Sequence, residues 1–188
     1  MKIGLVGEAP NDTRAIQNLL SRNYKHLEFV ELLEQIDGSM LDNRKAISRL
    51  LRIEYESHRP DLVIFIRDLD SHEKDRKKKL ERKDTFNYSN GIVNGRGLSL
   101  LNIYEIEALI LADIDVFNRE YGINVKRYDD VMLVPDPKER LMEASRKGKK
   151  RYNETHNAQL FLLLNFEILI SNCRYFSAFV KQLNKAIF

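Results

Sequence analysis

The sequence predicts an α/β fold, a mostly parallel sheet flanked by helices, with a helical C-terminal extension. Three observations predict it. Two short apolar runs, Ile3-Gly4-Leu5-Val6 and Leu62-Val63-Ile64-Phe65-Ile66, read as strands buried on both faces. Segments with helical apolar spacing lie between the runs, so strands and helices alternate as in a doubly wound sheet. Beyond Pro135-Asp136-Pro137 the pattern turns helical throughout. The 188 residues suit one compact unit, with residues 1–134 as the α/β core and 135–188 as the extension packed on it.

Taken in order, the first strand, Ile3 to Val6, ends at Gly7. Asn11, Asp12 or Thr13 can cap a helix from about Arg14 to Asn23, whose Ile16, Leu19 and Leu20 share a face. His26 to Leu33 reads as a second strand. Leu41 to Ser57 reads as a helix on the spacing of Ile47, Leu50, Leu51 and Tyr55. Pro60-Asp61 punctuates the chain before the third strand. The three glycines between Asn90 and Gly97 mark a loop. Leu98 to Ile103 is the fourth strand, and Ile106 to Ala112 opens a helix. Helical segments follow near Lys138 to Arg146, Thr155 to Ile170 and Tyr175 to Ile187, with Phe161, Phe166, Phe176 and Phe179 as their core.

The 31 basic and 28 acidic side chains leave a formal charge of only +3, so the distribution of charge carries more information than its sum. One cysteine, Cys173, excludes an internal disulfide and an all-cysteine metal site, and its apolar surroundings mark a buried structural thiol. The N-terminal apolar run is too short for a signal peptide. The longest one, Leu160 to Ile170, is broken by Asn165 and Glu167 and cannot span a bilayer, so a cytoplasmic location without membrane partners is expected.

The acids fall where an open α/β sheet binds its ligands, outside the carboxyl ends of the strands. Glu8 follows the first strand, Asp68 and Asp70 the third, and Glu105 and Glu107 the fourth. Residues two apart in an extended segment point the same way, so Asp68 and Asp70 can face one ion. A lone Asp-x-Asp more simply caps a helix or faces water. Acids at three strand ends point to a hard divalent cation, because crowded carboxylates otherwise repel one another and take up protons. Glu105 and Glu107 face together if their segment is extended and diverge by about 200° if it is helical; Glu105 is the favoured ligand, since Glu107 can instead cap or pair.

These residues carry a resemblance. Val6-Gly7-Glu8 and Arg67-Asp68-Leu69-Asp70-Ser71 resemble the Toprim fold of topoisomerases, primases and overcoming-lysogenization-defect nucleases, a Rossmann-like sheet. Gly7-Glu8-Ala9-Pro10 followed by Asp12, Tyr104-Glu105-Ile106-Glu107-Ala108-Leu109-Ile110-Leu111-Ala112-Asp113 and the tail around Lys150-Arg151-Tyr152, His156 and Cys173-Arg174-Tyr175-Phe176-Ser177 are similar to a Toprim-like family of unassigned function found near mobile and defence genes. The resemblance implies a Mg2+- or Mn2+-dependent reaction at a phosphodiester. It implies Asp68 and Asp70 as metal ligands and Glu8 as ligand or general acid/base, with Glu105 or Glu107 serving a second ion. Ala9 stands where Toprim proteins usually have glycine, and Leu109 where the family has tryptophan.

The run His72 to Lys83 follows the Asp pair, and its Lys74, Arg76, Lys77 and Lys78 form a track that suits a phosphate backbone. The plainer reading is a solvated helix face. Lys149, Lys150 and Arg151 form a second cluster, with Tyr152 and His156 close behind as possible accessory groups. Arg67 balances the acids. The leading expectation is therefore a metal-dependent nuclease or nuclease subunit acting in defence against foreign nucleic acid, with self-association possible. Two others stand beside it: a non-catalytic interaction or sensor subunit, and a nucleotidyl- or phosphotransferase. The chain has no Gly-Lys-Ser/Thr nucleotide loop, so any ATP-driven step needs a partner ATPase.

Overall fold

A computed structural model describes residues 1–34 and 38–188. Four parallel strands form one sheet in the order β2-β1-β3-β4: β1 Lys2–Val6, β2 Glu28–Glu31, β3 Leu62–Asp68 and β4 Gly97–Asn102. The registers Ile3 to Leu62 and Ile3 to Phe29 place β1 between β2 and β3. The winding reverses between β1 and β3, which sets the crevice of the fold beside the carboxyl ends of those two strands.

Side-chain alternation divides the core in two. Ile3 and Leu5 of β1, and Leu62, Ile64 and Ile66 of β3, face one side and join the larger apolar cluster. That cluster also takes α1 (Pro10–Asn23) and the late helices α8 (Asn157–Phe161), α9 (Phe166–Asn172) and α10 (Arg174–Ile187). Val6, Val63 and Phe65 face the other way, against α2 (Gly38–Asp42), α3 (Arg44–His58) and α4 (Arg76–Ile92). The predicted aromatic core holds: Phe161, Phe176 and Phe179 are buried and Phe166 packs against them. Cys173 is buried, and that burial pushes its thiol up. Among the described residues no helix is long and apolar enough to cross a membrane.

Several boundaries differ from expectation for local reasons. The first helix starts at Pro10, not Arg14. Ala9, in extended backbone, is its N-cap, and Pro10 fills the first turn where a missing N–H costs nothing. The predicted helix over 41–57 breaks at Asn43, whose side chain accepts from the Ala46 N–H and starts a new helix. The charge run becomes α4, 17 residues capped by Asp75 and extending three residues into the predicted glycine loop. The segment opening at Ile106 yields α5 (Ala108–Ala112) and α6 (Ile114–Tyr121), broken at Asp113. Gly122 ends α6 at φ 65°, a left-handed position that favours glycine. The predicted helix over 155–170 also divides. Asn165 caps α9 through the Glu167 and Ile168 N–H groups while donating its own N–H to Asp113. The remaining helix, α7 (Pro137–Ala144), runs into a 3-10 turn at Ser145–Lys147.

Candidate functional site

The ends of β1 and β3 are tied together directly, since the Asp68 backbone N–H donates to Glu8 Oε1 at 3.1 Å. Gly7 lets α1 close down on this edge. A Cβ there would meet Thr13 Oγ1 at 2.5 Å, so that any other residue would force the Thr13 side chain to move. The Ala9 carbonyl then accepts from the Asp12 and Thr13 N–H groups, so Asp12 sits in the first turn above the same strand ends. Ala9, at φ −142°, is under no backbone strain.

Asp68 is partly buried and accepts one hydrogen bond from Asn102 Nδ2 at 2.9 Å. Burial first, and then the charges of Asp12, Glu8 and Glu107, push its carboxyl well above the usual range against the pull of Asn102. Asp12 is raised to about 7, by burial first and then by Glu107 and Glu8. Four carboxyls from β1, α1, β3 and the turn before α5 thus share one low-dielectric crevice.

Asp70 does not join them. The chain turns at Asp70 with φ 51°, so the extended geometry that would align it with Asp68 has already ended. Its Oδ2 instead accepts from Arg82 Nη2 at 2.7 Å. The expectation that both carboxylates face one ion is corrected by this turn. A tight turn that begins just past the left-handed Tyr104 (φ 57°), with the Ala108 N–H donating to the Glu105 carbonyl at 3.1 Å, ends the extended geometry over Glu105 and Glu107. Glu105 accepts from the Lys138 N–H at 3.0 Å. Glu107, 4 % exposed, accepts from Tyr152 Oη and Asn157 Nδ2, both at 3.0 Å. Glu107, rather than the favoured Glu105, is the one that burdens Asp12 and Asp68.

The cations divide as unevenly. Arg67 Nε approaches Glu8 Oε1 at 2.7 Å and its Nη2 reaches Asp42 at 3.0 Å, which places it as the charge balancer expected. Arg82 contacts Asp42, Asp70 and the Asp68 carbonyl. Lys78 reaches the Asp70 carbonyl at 2.8 Å, while Lys74, just before α4, and Arg76 and Lys77 in its first turn stay exposed. Lys149, Lys150 and Arg151 are exposed beside α6, with Lys150 Nζ 4.9 Å from the centre of the Tyr121 ring. Tyr152 is buried, and burial together with Glu107 raises its hydroxyl. His156 meets Tyr121 Oη at 2.8 Å and completes a capping box with Asn153, which is a structural task.

The sequence offers Asp12 as a helix cap and as the acid of the Gly7-Glu8-Ala9-Pro10 motif, not as a ligand, and it singles out neither Lys138 nor Asn102. The signal for Asp12 was Pro10, whose preference for the first helical turn places Asp12 four residues beyond Glu8 on the inner edge of that turn. Nothing in the sequence marks Lys138, which arrives from a distant helix to lie among Glu105, Glu107 and Glu154.

The donor set, carboxyl oxygens alone, suits a hard cation. Among the described residues no three His, Cys, Asp or Glu side chains converge closely enough to enclose one. Magnesium does not require that enclosure, because it commonly keeps most of its waters and takes one or two carboxylates. The residues therefore fit a water-rich ion held by Asp68 with Asp12, and they do not fit a fully protein-ligated one. No protein-family model, curated protein or solved structure matches this chain.

Proposed function

We propose that the β1/β3 crevice is the cation site of a Toprim-like, Mg2+- or Mn2+-dependent phosphodiesterase acting on nucleic acid. One observation carries this reading. Asp12 and Asp68 press against each other, against Glu8 and against Glu107, and no lysine or arginine among the described residues forms an ion pair with either of them. Groups held at that cost are poised to exchange protons for a divalent ion. When bound, the ion would polarise a phosphodiester and lower the pKa of a coordinated water. Asp68 and Asp12 would hold it, with Asn102 fixing the Asp68 carboxyl. Exposed Lys74, Arg76 and Lys77 would lie along the backbone of the strand. The motif resemblance supports nucleic acid as substrate and defence against foreign nucleic acid as the setting.

A second reading has its own support. Glu8 and Asp70 are already paired with Arg67 and Arg82, so half of the expected ligand set is neutralised without a metal. That favours a non-catalytic subunit working with a partner ATPase. The two readings separate when the purified chain and Asp68→Asn are titrated with Mg2+ and incubated with plasmid and single-stranded DNA and RNA. Binding and cleavage that both vanish in the variant support the enzyme. Binding without cleavage by the wild-type chain supports the subunit, and no binding removes the site assignment.

A further inference from the structure

The opposite face of β3 holds a cavity of about 260 Å³ between the sheet and helices α3 and α4. Its walls are apolar, built on Phe65, Phe86, Leu101 and Ile47, whereas its rim carries Arg67, Lys79, Arg82 and Lys83. Such a combination of apolar body and convergent charge is what small-ligand sites share.

Arg67, opposed by Glu8 at 2.7 Å and by Asp42 at 3.0 Å, still leaves part of its guanidinium without hydrogen bonds. Its side chain is 11 % exposed, and its Nε and Nη1 atoms are buried without a hydrogen-bond acceptor. The 2.7 Å approach to Glu8 therefore brings charges together without aiming the N–H at the oxygen. Buried donors left unmade are costly, and a guanidinium is best satisfied by a planar or tetrahedral oxyanion. Lys83, exposed at the same mouth, has no ion-pair partner among the described residues. Inside, Phe65 and Phe86 meet edge to face with centroids 5.8 Å apart, a wall on which an aromatic ring can lie. Ser99 and Thr85 supply hydroxyls for ring heteroatoms. The volume, small by the standard of ligand pockets, suits one ring rather than two fused ones.

We propose that this cavity binds a phosphomonoester carried by a single aromatic ring, the chemistry of a pyrimidine mononucleotide, with the phosphate at Arg67 and Lys83 and the base against Phe65 and Phe86. The site stands whether or not the acidic crevice holds a cation. Two sources share this chemistry, a free mononucleotide and the 5′-phosphorylated end of a strand.

Calorimetric titration of the full chain with UMP, in the absence of divalent ions, tests it. Submillimolar binding is expected, with inorganic phosphate and AMP each at least about tenfold weaker. Ser99→Leu, which fills the cavity from β4, should weaken UMP at least about tenfold while its circular dichroism and melting curve stay those of the wild type. Lys83→Glu, on an exposed side chain that cannot unfold the protein, should weaken UMP severalfold. A 5′-phosphorylated pyrimidine oligonucleotide that displaces UMP assigns the site to a strand end, and one that does not assigns it to the free nucleotide. No UMP binding, or UMP binding unchanged in both variants, overturns the proposal.

Discussion

The two faces of β3 make an instructive pair. On one edge, Asp12 and Asp68 form no ion pair among the described residues, and only the more distant Lys138 eases Asp12; on the adjoining face, Arg67 faces Glu8 and Asp42 yet leaves two buried nitrogens without a hydrogen bond. Both regions draw on the same two arginines, since Arg67 and Arg82 line the cavity and also neutralise Glu8, Asp42 and Asp70. The charges around the end of β3 are thus partly compensated within the fold, Arg67 by Glu8 and Arg82 by Asp70.

The largest test breaks the acidic side by removing its repulsion. Folded Asp12 keeps a proton up to about pH 7, whereas the unfolded chain releases it near 4. Folding thus takes up a proton in that window, and stability falls as pH rises through it. Asp12→Asn should therefore raise stability by up to about 4 kcal/mol above pH 7, with the gain shrinking to nothing below pH 4. Urea unfolding at pH 4, 6 and 8 measures it; a gain that is independent of pH would show that Asp12 is not held protonated by this crevice.

Next comes the inequality between two acids that the sequence treats alike. Asp68→Ala should weaken Mg2+ binding by about 100-fold, equivalent to about 2.7 kcal/mol, while Asp70→Ala should change it less than about fivefold. Equal losses in the two variants would restore the shared-ion geometry that the turn at Asp70 contradicts. A smaller effect is expected at the buried polar wall of the crevice. Tyr152→Phe removes the hydroxyl that serves Glu107 and Asn157 and should cost about 1–3 kcal/mol in unfolding experiments. A cost near zero would mean that water replaces the hydroxyl and that the wall is open. The smallest is Lys77→Ala, an exposed cation outside both regions, with a stability change within about 0.5 kcal/mol. If the strand runs along α4, the same variant reduces the salt dependence of nucleic-acid binding by about one phosphate contact.

The sequence by itself determined the parallel sheet. β1 and β3 are continuous apolar runs, and their length and β-branched content leave no other use for them. It also determined that Glu8 lies just past β1 and Asp68 at the end of β3, because a residue at a strand end stays at that end whatever the packing. Boundaries were less legible where a short polar side chain restarts a helix, as Asn43 and Asn165 do, since capping competes with continued helix on margins of about 1 kcal/mol. Tertiary structure alone decided which acids meet. One left-handed residue, Asp70, sends its carboxylate to Arg82, and the turn over Glu105–Ala108 leaves Glu105 to Lys138 and Glu107 to Tyr152 and Asn157. The approach of α1 over Gly7 then brings Asp12 into the crevice. Side-chain direction after a strand depends on single backbone angles and on what packs above them, and neither is written in the spacing of the acids.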